Sequence, residues 1–366
     1  MTAHRLATIV AVAACFAATA PAQARKPLGP SDFQAEIQLD HTPILSQGRT
    51  GTCWSFATTS FLESEIERLH GEQVDLSEMH TVYWGYVEKA RRFVRLHGKA
   101  QFSQGGLSHD VVAVARRHGV APASAFPGLV GGAAEHNHGA LEAALQEVMG
   151  PFVAGKRPTH ELDAAVRAVL DEHLGAPPET FEVKGVHATP KSYANDILGL
   201  PLVEYVELMS FESDGFGERA ELLIPDNWMR YQGYWNVPVA ELLANIDHAL
   251  EAGYTIALDC DVSERTNSSG VMKLSSELEA GEITDAMRQQ MFDDRSTTDD
   301  HLMQIVGRSK GPGGTTWYVV KNSWGTRGPF QGYVMMSRAY VAAKTLAVMI
   351  HRDGLMPKTL EAFEAR

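Results

Sequence analysis

The feature that most constrains the fold is the division of the chain into a helix-rich first part and a strand-rich last part. Early segments carry apolar residues at helical spacing and end at glycine, as residues 53–70 do before Gly71. Beyond about residue 255, alternating or continuous apolar runs are bounded by Gly and Pro, which is typical of strands. Helices and strands that are separated along a chain favour an α+β fold with two lobes.

The local patterns predict individual elements within this division. The predicted helices cover residues 53–70, 78–97, 108–118 and 239–252, and the predicted strands cover residues 202–211, 256–262, 301–309, 315–324 and 332–337. Ser77 is a typical N-cap residue for the second of these helices. We therefore expect four segments: a signal peptide at residues 1–24, a helical lobe at 25–128, a decorating insertion at 129–232 and a sheet lobe at 233–366.

Residues 1–24 have the composition of a secretory signal peptide. Arg5 is the one Lys, Arg, Asp or Glu residue in this segment, an Ala-rich apolar run follows it, and Ala22-Gln23-Ala24 forms a small-residue cleavage site. The apolar run is shorter than the roughly 20 residues that a membrane span needs. Residues 12–15 also resemble a lipobox, but the apolar segment continues past Cys15, which disfavours lipoprotein anchoring. We expect an exported protein, periplasmic or secreted, with no stable membrane span.

Charge and cysteine content narrow the function further. The formal net charge of −13 argues against a nucleic-acid partner, because phosphate binding needs a basic face. Cleavage after residue 24 would remove Cys15 and leave Cys53 and Cys260. In an oxidising compartment a free thiol is a liability unless it is buried or used, so at least one of the two is expected to have a function.

Cys53 occupies a position that suits a nucleophile. Gly51-Thr52 interrupt the chain directly before the first helix, which places Cys53 in the first turn, where the positive helix terminus stabilises a thiolate. By itself this position is better explained by a cysteine buried as a small hydrophobic residue at a helix start. A nucleophilic cysteine also needs a base and a group that orients the base.

His301 and Asn322 meet that requirement. They flank the turn-rich stretch "GRSKGPGGTT", and if this stretch closes a hairpin, the two residues lie opposite each other. The Asn side-chain oxygen could then fix the imidazole tautomer and leave the second ring nitrogen for the thiol. Gln47, in the turn before Cys53, could donate to an acyl oxyanion together with the Cys53 backbone N–H.

With these residues in the order Gln47, Cys53, His301, Asn322, the sequence resembles the papain-like cysteine peptidases of the C1 family. The resemblance rests on "QGRTGTCWSFA", "LSE" at residues 76–78, Gly105-Gly106, "DHLMQIVG" and "VVKNSWG". It implies a helical lobe beside an antiparallel sheet or barrel lobe, and a reaction through a Cys thioester acyl-enzyme without metal or cofactor. It also implies roles for eight residues: Cys53 as nucleophile, His301 as base, Asn322 as orienting group, Gln47 as oxyanion donor, Trp324 as shield of the His–Asn bond, Gly105 and Gly106 as cleft lining, and Leu302 as the residue that narrows an apolar specificity pocket.

Within that family the bleomycin hydrolase or aminopeptidase C branch is the better match. "YQGYWNVPVAELL", "GYTIALDCDVSE" and the long insertion are similar to that branch, which implies a buried structural Cys260 and aminopeptidase action. In that branch the C-terminal carboxylate receives the substrate α-amino group, but "GLMPKTLEAFEAR" departs from the pattern. Residues 25–46 are too few for a domain-sized inhibitory propeptide.

Three functions stay open at this point. The favoured one is an exported cysteine aminopeptidase acting on peptide or protein substrates; the alternatives are an endopeptidase with the same triad and a non-catalytic binding protein on a papain-like fold. The intact set of four residues argues against the last. An oligomer is left open, since the branch includes hexameric rings. Residues 135–138, "EHNH", are interpreted as a solvated loop, because two His residues lack the further ligands of a closed metal site.

Overall fold

The computed structural model describes residues 28–267 and 269–365, so the predicted signal peptide lies outside the described residues. The α-helices are α1 Cys53–His70, α2 Glu78–Arg95, α3 Ser108–His118, α4 Gly139–Val153, α5 Leu162–Leu174, α6 Pro190–Ser192, α7 Val239–Glu251, α8 Ser276–Ala280, α9 Asp285–Asp293, α10 Arg338–Lys344 and α11 Pro357–Glu364. The strands are β1 Gln34–Gln38, β2 Phe181–Val183, β3 Val186–Ala188, β4 Tyr205–Met209, β5 Glu218–Ala220, β6 Tyr234–Asn236, β7 Ile256–Cys260, β8 Val271–Met272, β9 His301–Lys310, β10 Thr316–Lys321, β11 Tyr333–Ser337 and β12 Thr345–His351.

The helices predicted from the sequence are confirmed. Helix α1 has the predicted bounds and ends at Gly71, whose φ of 68° is left-handed and suits glycine. The Ser77 hydroxyl accepts the His80 N–H at 3.0 Å, which caps α2 as expected. Helix α2 ends two residues before the predicted His97, and α3 and α7 lie within one residue of their predicted ranges.

The main sheet runs β5-β6-β4-β12-β7-β9-β10-β11-β8, with β1 added on β9. The predicted antiparallel sheet or barrel is corrected in two respects. The pairs β4–β6 and β8–β11 are parallel, so the sheet is mixed. The described strands also leave it open, with β5 and β8 at its ends. Both parallel pairs join strands that are not consecutive in the chain, which a pattern of local turns does not reveal.

One central strand was not predicted at all. Strand β12 lies between β4 and β7, and it follows α10 directly, with Lys344 ending the helix and Thr345 starting the strand. All seven residues of β12 are buried, so it shows neither a turn signal nor an alternating pattern. Strand β4, predicted within residues 202–211, pairs with β12 in the interior of the sheet. The predicted segment boundaries, including the insertion at 129–232, stay a prediction.

The two faces of the sheet carry different helices. Helix α1 packs on β9 and β7, where Leu302 joins the core of the helical layer. Met303 and Ile305, which point the other way along β9, belong to a second core with residues of α7 and α10. Helix α11 lies on this second face, because Thr359 bonds to Asn245 of α7 at 3.0 Å. The start of α1 and the C-terminal helix are therefore separated by the sheet.

Buried polar side chains join α1 to the β9–β10 hairpin. Gln304, which is fully buried, accepts the Ser60 hydroxyl at 2.6 Å and donates to Ser64 at 2.9 Å. Lys321 donates to the same Ser60 hydroxyl at 2.6 Å and to Thr42 at 2.9 Å. These contacts, which we call the α1–hairpin seam, fix the helix that begins at Cys53 against the strands that carry His301 and Asn322.

Glu63 of α1 and Lys321 of β10 add a buried pair of opposite charges to the α1–hairpin seam. The Thr42 hydroxyl, which Lys321 contacts, donates to Glu63 of α1 at 2.5 Å. Burial raises the pKa of Glu63 to about 7 and lowers that of Lys321 to about 8, while their mutual attraction opposes both shifts. A buried pair of this kind contributes little net stability, but removal of one partner leaves an uncompensated charge in the interior.

Replacement of Lys321 by Met should therefore lower the free energy of unfolding by about 3–5 kcal/mol, measured by urea denaturation at pH 7. Lys310→Met is the matched control in the same hairpin, because the Lys310 side chain is 41% exposed and its ammonium lies 3.6 Å from Glu36. An exposed pair is worth about 1 kcal/mol or less. Equal, small losses in the two variants would show that the seam does not hold the layers together.

Candidate active site

Cys53 is the first residue of α1 and is 8% exposed. The peptide N–H groups of Leu302 and Trp54 lie close to its sulfur. Burial raises the pKa of the thiol to about 12; the two N–H groups oppose this shift, and the charges of Asp259 and Asp299 add to it. The contact with Leu302 N–H places the sulfur beside the residue that follows His301.

His301 and Asn322 are in contact, as the sequence predicts. The imidazole Nε2 lies 2.8 Å from Asn322 Oδ1, and both side chains are buried. The predicted hairpin forms, but a bulge between Val319 and Val320 shifts its register, so that Lys321 pairs with Gln304. Asn322 follows the last paired residue and reaches His301 diagonally across the strand ends, rather than from a directly opposite position.

The contacts of Asn322 also determine the imidazole tautomer. The Ser323 backbone N–H donates to Asn322 Oδ1 at 2.7 Å, which identifies that atom as the amide oxygen. An amide oxygen only accepts, so Nε2 of His301 carries the proton and Nδ1 is left as an acceptor. Burial lowers the pKa of His301 to about 4, and the bond to Asn322 opposes this shift. The ring is therefore neutral, with a free basic nitrogen.

Trp324 contacts the imidazole of His301, whereas the Asp300 carboxylate bonds to other groups. Trp324 stacks on His301 with ring centroids 4.6 Å apart and an interplanar angle of 27°, while half of its own surface stays exposed. It thus lies between the imidazole and solvent. Asp300 instead accepts the Val262 N–H at 3.3 Å and contacts the Thr298 hydroxyl, so its carboxylate is bonded to backbone and loop groups and not to the ring.

Gln47 is joined to the Asn322 segment by Ser323, which the sequence reasoning did not single out. Ser323 Oγ donates to Gln47 Oε1 at 2.6 Å, and Gln47 N donates to Ser323 O at 2.9 Å. Gln47 Nε2 donates one proton to Thr50 O at 2.7 Å, which leaves its second N–H available. One residue next to Asn322 therefore fixes both the orienting amide and the amide of Gln47.

The loop at residues 135–138 is solvated only in part: Glu135 and Asn137 are exposed, as expected, but His136 and His138 pack inward beside the Gln47 turn. Arg49 N donates to His136 O at 2.8 Å, and His138 is 2% exposed. Gly48 has a φ of 65°, and a Cβ there would lie 2.5 Å from His136 O, so this close approach requires glycine. Within residues 28–267 and 269–365 there is no group of three or more His, Cys, Asp or Glu residues that could hold a metal ion.

Gly105-Gly106 lie beside the start of α1. Trp54 Nε1 donates to Gln104 O at 2.9 Å, and Gly51 N donates to Gln104 Oε1 at 2.7 Å. A Cβ on Gly106 would lie 3.0 Å from the Trp54 ring, so a side chain there would collide with the indole. Leu302 is 2% exposed and packs into the core of the helical layer. The substrate contacts expected of these three residues stay a prediction.

The sequence analysis did not identify a cluster of three carboxylates beside the site: Asp259 and Asp299 act on Cys53, and Asp226 lies against Gly105. Asp226, Asp259 and Asp299 lie in separate segments and come together only in the fold. Burial raises the pKa of Asp299 to about 7. No local spacing could have signalled this cluster. Cys260, in contrast, is buried in β7 as expected.

Taken together, the two packed layers and the Cys, His, Asn and Gln set define a papain-like cysteine peptidase. The sequence model of the Peptidase C1-like family matches residues 3–366, and the chain belongs to that family. The predicted resemblance is thus confirmed, and peptides are the substrates that such an enzyme hydrolyses.

Individual relatives agree with this assignment. Aminopeptidase C of Lactococcus lactis subsp. cremoris is 25% identical over 377 residues, which cover 90% of this chain and 86% of that protein. Aminopeptidase G of Lactobacillus delbrueckii subsp. lactis is 22% identical over 88% of this chain and 83% of that protein. The crystal structure of PepW from Lactobacillus rhamnosis has the same fold, with a TM-score of 0.71, 18% identity, and coverage of 90% of this chain and 84% of that one.

The site predicts a distinctive pH profile for alkylation of Cys53 by iodoacetamide. If Nδ1 of His301 accepts the thiol proton, alkylation should be fast at pH 6 and should fall only as the pH drops toward about 4, where the imidazole protonates. In His301→Ala the thiol keeps only its raised pKa of about 12, so the rate at pH 6 should collapse and recover only in strong base. Equal rates for the two proteins at pH 6 would contradict this arrangement, with intrinsic fluorescence used to verify folding at each pH.

Proposed function

We propose that this chain is an exported cysteine aminopeptidase that works through a thioester acyl-enzyme on Cys53. The observation that carries the proposal is the fixed tautomer of His301, which leaves Nδ1 unprotonated at the strand end where the Cys53 sulfur contacts the Leu302 N–H. A thiol at a helix start beside a base that is itself oriented by a third group has the arrangement needed for nucleophilic catalysis.

In the proposed reaction, His301 Nδ1 takes the thiol proton as the sulfur attacks the scissile carbonyl carbon. The new S–C bond gives a tetrahedral oxyanion, which collapses when the amine leaves with the proton from His301. Water then attacks the thioester, with His301 acting again as base, and the carboxylic acid product is released. Since burial favours the neutral thiol and the neutral imidazole, the proton transfer accompanies attack instead of preceding it.

The oxyanion has two proposed donors. The second N–H of Gln47 is uncommitted, because Thr50 takes the first and Ser323 holds the amide oxygen. The Cys53 N–H belongs to the first turn of α1, where backbone donors have no partner within the helix. Loss of one such donor typically costs about 2.7–4 kcal/mol of transition-state stabilisation.

The aminopeptidase assignment is supported by the relatives named Aminopeptidase C and Aminopeptidase G. One observation favours the endopeptidase alternative. Helix α11 packs on α7, across the sheet from Cys53, so residues 357–364 do not occupy the cleft as the C-terminal segment of the resembling branch would. A cleft that residues 357–364 leave free has room for a longer chain.

Fluorogenic peptide substrates test the proposal. Aminoacyl and dipeptidyl aminocoumarins should be cleaved, their N-acetylated forms at least tenfold more slowly, and Cys53→Ala should abolish all turnover. Cys260→Ala is the matched control, since this buried thiol lies in β7 and should leave kcat near the wild-type value. Equal cleavage of free and acetylated substrates would favour the endopeptidase. Absence of turnover in the correctly folded wild type would leave only a binding protein.

Export is proposed from the sequence features of residues 1–24. Full-length protein produced in a Gram-negative host should appear in the periplasm with Arg25 as its first residue, as determined by mass spectrometry. Ala22→Asp together with Ala24→Asp should block this cleavage and leave the uncut precursor. Full-length chain in the cytoplasm would contradict export, and a lipid-modified chain that begins at Cys15 would contradict the cleavage site.

A further inference from the structure

Three carboxylates form what we call the acidic pocket: Asp226, Asp259 and Asp299. Asp226 and Asp299 line a cavity of about 510 Å³. Asp226 touches the backbone of Gly105, because a Cβ on that glycine would lie 1.7 Å from Asp226 Oδ2. The acidic pocket therefore borders the Gly105-Gly106 segment beside the start of α1.

Asp259 adjoins Asp299 but is not among the residues that line the cavity. It pairs with Leu302 across strands β7 and β9, which places its side chain on the face of the sheet that α1 covers. Asp259 is 3% exposed, and neither of its oxygens has a hydrogen-bond donor in the described part of the chain. Its neighbour is another carboxyl, Asp299, and the two can bond only if they share a proton.

The protein supplies little positive charge to these groups. Among residues 28–267 and 269–365, no ion pair involves Asp226, Asp259 or Asp299. The ammonium of Lys89 attracts Asp226, but it already donates to the carbonyl oxygens of Gly105 and Ser103. Arg295 also lines the cavity, together with a further carboxylate, Asp293. The pocket thus holds more carboxylate charge than its own cations neutralise.

Buried carboxylates without a partner are costly, and they are neutralised either by protons or by a cation. In the described part of the chain, no group of three or more His, Cys, Asp or Glu residues could hold a metal ion. An ammonium group suits the cavity chemically, since it brings a positive charge and three donors to a wall that carries Asp226 and Asp299. Asp226 Oδ1 has one distant donor there, Gln101 Nε2 at 3.5 Å. The cavity is also walled by Leu223, Ile224 and Phe292, which suits an apolar side chain next to such an ammonium.

We propose that the acidic pocket binds the free α-ammonium group of the peptide substrate, with Asp226 and Asp299 as its contacts and Asp259 behind them. This inference rests on the proposed aminopeptidase function and gives it a recognition element. Asp259 and Asp299 lie within electrostatic range of the Cys53 thiol, so a bound ammonium would sit on the same side of the cleft as the scissile bond. The acidic pocket would supply the negative charge for this ammonium, because α11 lies on the opposite face of the sheet and brings none to the cleft.

The test compares kcat/KM for a free and an N-acetylated substrate, using whichever of leucyl-aminocoumarin or glycyl-leucyl-aminocoumarin the wild type cleaves faster. We use the kcat/KM of the free substrate divided by that of the acetylated substrate, because a change in thiol reactivity affects both values equally. A hydrogen bond to a charged group is worth about ten- to hundredfold in affinity, so Asp226→Asn and Asp299→Asn should each lower this ratio by about that factor. Asp294→Asn, an exposed residue of the neighbouring turn, removes the same charge and should leave the ratio unchanged.

The outcomes separate this inference from the function on which it rests. If the wild type shows no preference for the free amine, the aminopeptidase proposal fails and the inference with it. If the wild type has the preference and both folded Asn variants keep it, the inference alone is overturned. If thermal melting shows that one of the two Asn variants does not fold, the other variant alone decides the test. Cleavage of N-acetyl-lysyl-aminocoumarin as fast as the free leucyl substrate, and lost in Asp299→Asn, would assign the pocket to a side-chain ammonium and overturn the α-ammonium proposal.

Discussion

The rest of the site depends on the buried hydrogen bonds that join helix α1 to the β9–β10 hairpin. Cys53 lies on one of these elements and His301 on the other, so their relative position is only as fixed as the contacts of Ser60, Gln304 and Lys321. Apolar packing alone is non-directional and tolerates small slides of a helix on a sheet. Hydrogen-bonded polar groups in the interior permit one alignment, because any other leaves donors and acceptors unpaired.

Ser323 fixes the side chains of Asn322 and Gln47 relative to each other, as the seam fixes α1 relative to the hairpin. Its N–H and hydroxyl hold the amide oxygens of Asn322 and Gln47, and its carbonyl accepts the Gln47 N–H. The base tautomer and the proposed oxyanion donor are thus set by one residue. Burial raises the pKa of the Cys53 thiol and lowers that of the His301 imidazole, so it favours the neutral form of each group.

The sequence predicted the parts of this structure that local signals specify. Helix α1 follows from apolar spacing and Gly71, and the hairpin follows from the Gly-Pro turn between His301 and Asn322. What it could not predict depends on long-range neighbours. Strand β12 is buried on both faces and has no period, the bulge at Val319/Val320 is a register effect, and Asp226 and Asp259 meet Asp299 only through the sheet.

The central claim is that α1 and the hairpin together form one site in which Cys53 attacks and Gln47 stabilises the oxyanion. The most direct measurement is a crystal structure of the enzyme with leucinal, an aldehyde with a free α-amino group. The account predicts an S–C bond to Cys53 and a hemithioacetal oxygen that accepts hydrogen bonds from Gln47 Nε2 and the Cys53 N–H. An aldehyde bound elsewhere, or an oxygen directed away from both donors, would contradict it.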